Sequence, residues 1–163
     1  MNNSIIILSG VPAVDTKMIE IYTDGACSGN QFRNNTGGWG AILISGNKRK
    51  EIFGGEKDTT NNRMELTACI MGLRELKRVD AGIRLYSDSA YIVNCINNKW
   101  YVKWEKNGWK TAKKEPVENK DLWEELLGLI KKFDIEFIKV KGHSGVELNE
   151  RADELANKGM ADL

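Results

Sequence analysis

Two stretches of this chain place an aspartate directly after an apolar alternation: Asp24 follows "MIEIYT" and Asp88 follows "IRLYS". In α/β sheets functional groups gather outside the carboxyl ends of strands, so both acids are candidates for chemistry. Each also has an ordinary reading, Asp24-Gly25 as a hairpin turn and Asp88 as the cap of the next helix. Glu65 is followed at helical spacing by Ala68, Cys69, Gly72 and Leu73, which sets an acid on an apolar stripe. Its ordinary reading is the third position of a capping box behind Asn62 as N-cap. Asp153 falls in the first turns of the last expected helix, where a carboxylate complements the helix dipole. If the topology brings the four together they repel and raise one another's pKa unless a cation neutralises them. Oxygen-only ligands suit Mg²⁺ or Mn²⁺, and two such ions about 3.5–4 Å apart form the clamp used in phosphodiester cleavage.

A second set of residues points to a polyanion. From Lys99 to Lys120 seven lysines face three glutamates, a local net of +4 (7 − 3) in a chain whose formal charge is only +1. Trp100, Trp104 and Trp109 alternate there with Lys99, Lys103, Lys106 and Lys110. Such a pattern can track a phosphate backbone while the indoles pack on sugars or on neighbouring helices. Trp104 falls four residues after Trp100, as one face of a helix requires, so half or more of the three indoles are expected in the core. The lysines are the stronger candidates for contact. His143, the single histidine, sits in "KGHSG", where an ordinary pKa of ~6.5 suits proton transfer.

These side chains must be positioned by a regular set of elements. Strands are expected at 18–23, 37–45 and 50–56, the last two joined by Gly46-Asn47. A helix follows "TTNN", with Asn62 as N-cap and an end near Asp80. Then come a strand over 83–88, a helix over 89–98, a short helix and loop over 100–109, a helix over 119–133, a strand over 135–141 and a helix over 148–160. The order β-β-β-α-β-α-α-α-β-α implies one mixed sheet with helices packed against it.

Composition narrows the class. With 163 residues, 41% hydrophobic, 29% charged and two prolines, the chain reads as one globular domain. Three cysteines without C-x-x-C spacing argue against a disulfide framework or a zinc knuckle and for a reducing, cytoplasmic compartment. The apolar run Ile5 to Leu8 is too short to span a bilayer and lacks a basic flank, so neither secretion nor membrane anchoring is expected. Residues 1–17 lack a sustained period and read as an N-terminal extension, or alternatively as an extra edge strand; 18–163 form the domain.

The stretches "YTDGACSGN", "TTNNRMELTA", "YSDSAYI", "WKTAKKEPVENKDLW" and "VKGHSGVELNERADELA" occur in the order and at the spacing of ribonuclease H type 1. The chain resembles that family over residues 18–161, and its bacterial form most closely, because of the basic Trp-rich handle at about 98–120. The resemblance implies a ribonuclease H-like α/β fold, a five-stranded mixed sheet with helices on both faces. It implies that Asp24, Glu65, Asp88 and Asp153 bind metal for catalysis, with Asp24 bridging two Mg²⁺ ions and Mn²⁺ as a substitute. His143 would shuttle protons or assist product release. The implied reaction is endonucleolytic hydrolysis of the RNA strand of an RNA–DNA hybrid, leaving 3′-hydroxyl and 5′-phosphate ends. Gly25, Cys27, Asn61 and Glu65 would face the RNA, and Asn30, Thr60, Asn62 and Trp100 the DNA strand. A monomer is expected, since no long exposed apolar stripe remains.

Three positions depart from the family pattern. The loop after Asn30, "QFRNNTGG", is longer than usual and lacks its prolines. Asp58 stands where a basic residue commonly precedes the Thr-Thr pair, and Ala90 where the bacterial form commonly has glutamine. These changes bear on affinity, not on the chemistry. Two rivals remain open: a nuclease of the same fold acting on DNA, and a hybrid-binding module without catalysis, which needs the acids to be structural.

Overall fold

The computed structural model describes residues 18–29, 35–77, 81–141 and 147–163. Five strands, β1 (Ile19–Ser28), β2 (Thr36–Ser45), β3 (Lys48–Lys57), β4 (Ile83–Ser87) and β5 (Ile135–Lys139), are interleaved with five helices. These are α1 (Asn61–Arg74), α2 (Ala90–Asn97), α3 (Trp100–Asn107), α4 (Lys120–Ile130) and α5 (Glu147–Ala161). Their succession is the one expected from sequence. The sheet runs β3-β2-β1-β4-β5, antiparallel across β1–β3 and parallel across β1, β4 and β5.

Local chemistry accounts for the pieces. Gly46 opens the β2–β3 turn with φ 61°, which a two-residue hairpin with glycine first requires. Along β1, Ile19, Ile21 and Thr23 are buried while Glu20 and Tyr22 are half-buried, a period of two that directs one set of side chains under α1. That face holds the main core: Ile21, Leu66, Leu73, Ile83, Leu85, Ile92, Trp123 and Leu126. On the other face Ile42 meets Ala152 and Leu155 of α5. Helices therefore cover both faces, α1, α2 and α4 on one and α5 on the other.

Several boundaries differ from the sequence expectation. α1 is capped by Thr60, whose side chain accepts from the Arg63 N–H at 3.1 Å, and not by Asn62. It ends at Arg74 rather than near Asp80; residues 78–80 lie outside the described residues. Leu76 is still buried beyond the helix, so the apolar period outlasts the helical backbone. Of the three handle indoles two, Trp104 and Trp109, pack on the core, in line with the expectation of half or more, and Trp100 does not. Trp100 is 43% exposed, whereas Trp104 packs on the core, 5.8 Å from both Trp109 and Trp123.

The candidate active site

Asp24 lies within β1, not in a turn, because β1 continues to Ser28 in antiparallel register with β2. The parallel pairing with β4 stops at Thr23↔Ser87. Asp24 and Asp88 are thus the next residues on two adjacent parallel strands, at the point where the strands part. Asp88 is not the cap of α2; Ser89 is, accepting from the Ile92 N–H at 3.2 Å.

Glu65 reaches the same point because α1 rests directly on β1. A Cβ at Gly25 would stand 2.5 Å from the Glu65 nitrogen and 2.6 Å from the Met64 carbonyl carbon, so only glycine admits this approach. With Thr60 as cap, the third helical residue is Arg63, and the capping-box reading of Glu65 falls. Ligand oxygens of Asp24, Glu65 and Asp88 all lie within 4.8 Å of one another. Asp153 comes from the opposite face of the sheet. Gly38 and Gly40 of β2 let α5 settle onto the strand, where a Cβ at Gly38 would sit 1.9 Å from the Ala156 carbonyl oxygen. Asp24 pairs with Gly40 in register, and its carboxyl is within hydrogen-bonding reach of Asp153. Asp153 stands about two turns into α5, beyond the first turn in which a dipole effect acts.

Burial and mutual repulsion govern the electrostatics of the acids. Asp24 and Glu65 are only 6% and 5% exposed. Burial, then the charge of Asp88 and the neighbouring Asp153, push the Asp24 carboxyl up to about 8, opposed in part by the Gly25 N–H at 2.9 Å. Burial, with Asp24 and Asp88 adding, raises Glu65 well above the carboxylate range. Its Oε1 is buried and has no hydrogen-bond partner among the described residues. An orphaned carboxylate oxygen in an all-oxygen cluster fits a hard divalent cation, which would satisfy that oxygen and relieve the repulsion.

The residues expected to touch a substrate fall into two groups. Thr60, Asn61 and Asn62 are exposed at the start of α1, beside Gly25 and a half-buried Cys27, whose Sγ points to the Thr59 carbonyl at 3.8 Å. Asn61 and Asn62 are the first helical residues, not caps. Lys99, Lys103, Lys106 and Lys110 are all exposed around α3 with Trp100. An aromatic chain holds this segment to the core: Trp109 on Trp104, Trp104 on Trp123, and the Trp123 indole N–H donating to the Tyr91 hydroxyl at 2.7 Å. Asn30, His143 and residues 1–17 lie outside the described residues.

Sequence reasoning missed Asn35. It is 3% exposed, and its side chain accepts from the Thr59 N–H at 2.9 Å and donates to the Thr59 carbonyl at 2.8 Å. Nothing in the polar run "QFRNNTGG" sets it apart from its neighbours.

An acid cluster at the parting of two parallel strands suggests a metal site, and comparison makes the class specific. The family model for RNase H matches residues 16–161. Ribonuclease H of Moorella thermoacetica is 55% identical over 147 residues, covering 90% of this chain and 94% of that protein. Among solved structures, LC9-RNase H1, a type 1 RNase H with the type 2 active-site motif, superposes with a TM-score of 0.80 at 30% identity, over 94% of this chain and 75% of that one. LC11-RNase H1, solved in complex with RNA/DNA hybrid, gives a TM-score of 0.65 at 25% identity, over 88% and 97%. The chain belongs to the RNase H family. It is an enzyme of that class, a nuclease whose acid cluster is compatible with metal catalysis.

Proposed function

We propose that the protein hydrolyses the RNA strand of RNA–DNA hybrids endonucleolytically, leaving 3′-hydroxyl and 5′-phosphate ends. The observation that carries this reading is the Asp24–Glu65–Asp88 cluster, with its orphaned Glu65 oxygen, opening beside the exposed polar edge Thr60–Asn62. LC11-RNase H1, solved with an RNA/DNA hybrid, supports the substrate.

Asp24, Glu65 and Asp88, with Asp153 alongside Asp24, would hold two Mg²⁺ ions, with Mn²⁺ as substitute. The chemistry supplied there is Lewis-acid activation of a water for in-line attack on phosphorus and neutralisation of charge on the leaving 3′ oxygen. The chain's own part is to orient and to exclude water. Gly25 brings the α1 backbone close enough for Glu65 to share its oxygens with Asp24, and its N–H fixes the Asp24 carboxyl. Gly25, Cys27, Asn61 and Glu65 face the RNA strand, where the 2′-hydroxyl marks the substrate. Asn30, Thr60, Asn62 and Trp100 take the DNA strand, while Lys99, Lys103, Lys106 and Lys110 bind its phosphates. His143 carries protons or aids product release. The protein acts as a cytoplasmic monomer, 18–163 forming the catalytic domain with its handle at about 98–120 and residues 1–17 an extension. Among the described residues no helix is long and apolar enough to cross a membrane.

The test is an end-labelled RNA–DNA hybrid in Mg²⁺, beside RNA duplex, DNA duplex and single-stranded RNA of the same sequence, with Asp24→Asn as control. Cleavage confined to the hybrid's RNA strand and lost in the variant is expected. Cleavage of duplex DNA would move the protein to the DNA-directed nucleases; binding without cleavage in Mg²⁺ or Mn²⁺ would leave only a hybrid-binding module.

A further inference from the structure

The junction between β3 and α1 carries Thr60, Asn61 and Asn62, exposed beyond Thr59, whose buried side chain lies against β2 at Gly37. Thr60 and the two asparagines are exposed, and Asp58 adopts a left-handed φ of 54°. A short exposed segment ordinarily samples several conformations, at a cost whenever a ligand demands one of them. Here Asn35 supplies the two close side-chain hydrogen bonds that limit that freedom, beside the longer Cys27 Sγ contact to the Thr59 carbonyl at 3.8 Å. Asn35 uses its carbonyl and amide like a paired strand, taking the Thr59 N–H at 2.9 Å and giving to the Thr59 carbonyl at 2.8 Å. Its own backbone carbonyl accepts from the Asp58 N–H at 3.0 Å. The side chain is buried, so these bonds are shielded from competing water.

We infer that Asn35 is a positioning residue for hybrid binding: by clamping Thr59 it pre-sets the Thr60–Asn62 edge that meets the nucleic-acid strands. This rests on the proposed function. The clamp acts on the edge and not on the acid cluster, because α1 from Arg63 onward is held separately. Arg63 donates to both oxygens of Asp121 at 3.0 and 2.7 Å, and Met64 is fully buried against Gly25 and Gly37. Loosening Asp58–Asn61 therefore leaves Glu65 in place. Asn35 also stands at the end of the stretch whose length departs from the family pattern.

The decisive measurement is steady-state cleavage of an RNA–DNA hybrid by Asn35→Leu, Asn35→Asp and the wild type, with Val93→Ala, a core truncation on α2, as a control for reduced stability. For Asn35→Leu, which removes both bonds at similar volume, KM rises roughly tenfold with kcat within about twofold, the pattern of an interaction common to ground and transition states. Asn35→Asp keeps an acceptor for the Thr59 N–H but sets a carboxylate oxygen against the Thr59 carbonyl, so its KM rises at least as far, and it serves alone if the leucine variant does not fold. Val93→Ala lowers the melting temperature without raising KM. An unchanged KM in both Asn35 variants, an equal rise in Val93→Ala, or a fall in kcat matching that in kcat/KM would each overturn the inference. If the wild type itself fails to cleave the hybrid, the proposed function fails instead, and the two failures are separated by that lane.

Discussion

The most exacting consequence of the acid cluster concerns stability in the absence of metal. Asp24 is shifted from an ordinary carboxyl value near 3.8 to about 8, so the fold prefers its neutral form. The sign is the reverse of a salt-bridged acid: its contribution is complete below the unfolded pKa and is lost as pH rises through the folded one. Between pH 5 and pH 7 the unfolded chain has released this proton and the folded chain still holds it. Over the interval this costs on the order of 3 kcal/mol, an upper figure because Glu65 shares the strain. For a domain of this size that equals a fall of roughly 5–10 °C in Tm. Asp24→Asn, neutral at every pH, escapes this term. Urea unfolding followed by the fluorescence of the five tryptophans, in EDTA at both pH values, isolates it as the difference between wild type and variant. The wild type is expected to lose stability relative to Asp24→Asn as pH rises, and saturating Mg²⁺ to cancel the loss. Equal pH dependence in the two proteins, or a relative gain by the wild type, would show that Asp24 is not held in a site that disfavours its charge.

Four further outcomes follow from the same geometry. Mg²⁺ should raise the melting temperature of the wild type at pH 8, by about 2.7 kcal/mol of stability at a hundred times its Kd, and should do so far less for Glu65→Gln, as calorimetry would show. Gly25→Ala should lower kcat by on the order of 10²-fold, because its methyl group meets the backbone at Glu65 and moves that acid; activity close to wild type in single-turnover assays would contradict the packing. Replacing Lys99, Lys103, Lys106 and Lys110 together by alanine should weaken hybrid binding and flatten its dependence on log salt by about one for every phosphate no longer neutralised, measured by fluorescence anisotropy. Glu51, held at about 2 chiefly by its hydrogen bonds with Arg151 and also by Arg49, contributes stability above its unfolded pKa that is lost as pH falls toward 2. Arg151→Ala should therefore shift acid unfolding to higher pH in a circular-dichroism titration.

Much of this architecture was legible residue by residue. The alternation of Ile19, Ile21 and Thr23, the glycine turn at Gly46 and the amphipathic run of α4 each announce an element, because burial on one face writes a period into the chain. The four acids could be named from the motifs that surround them. Less was legible where neighbours compete for one role. Thr60, Asn61 and Asn62 can all cap a helix, and the clamp on Thr59 accompanies the choice of Thr60. Trp100 and Trp104 share a spacing, yet only Trp104 finds Trp123 behind it. Asn35 was invisible, since a polar residue among polar residues carries no sign that it will be buried.

By itself the sequence determined which elements form, their order, and the chemical nature of the site, since these follow from local periodicity and side-chain type. Only the tertiary structure decided that the acids meet. Asp24 and Asp88 are distant in the chain and become neighbours through the parallel register of β1 with β4; Glu65 joins them because Gly25 has no Cβ, and Asp153 because Gly38 and Gly40 let α5 sink onto the sheet. Proximity of this kind depends on long-range register and on space left empty, and neither is a property of any short stretch of residues.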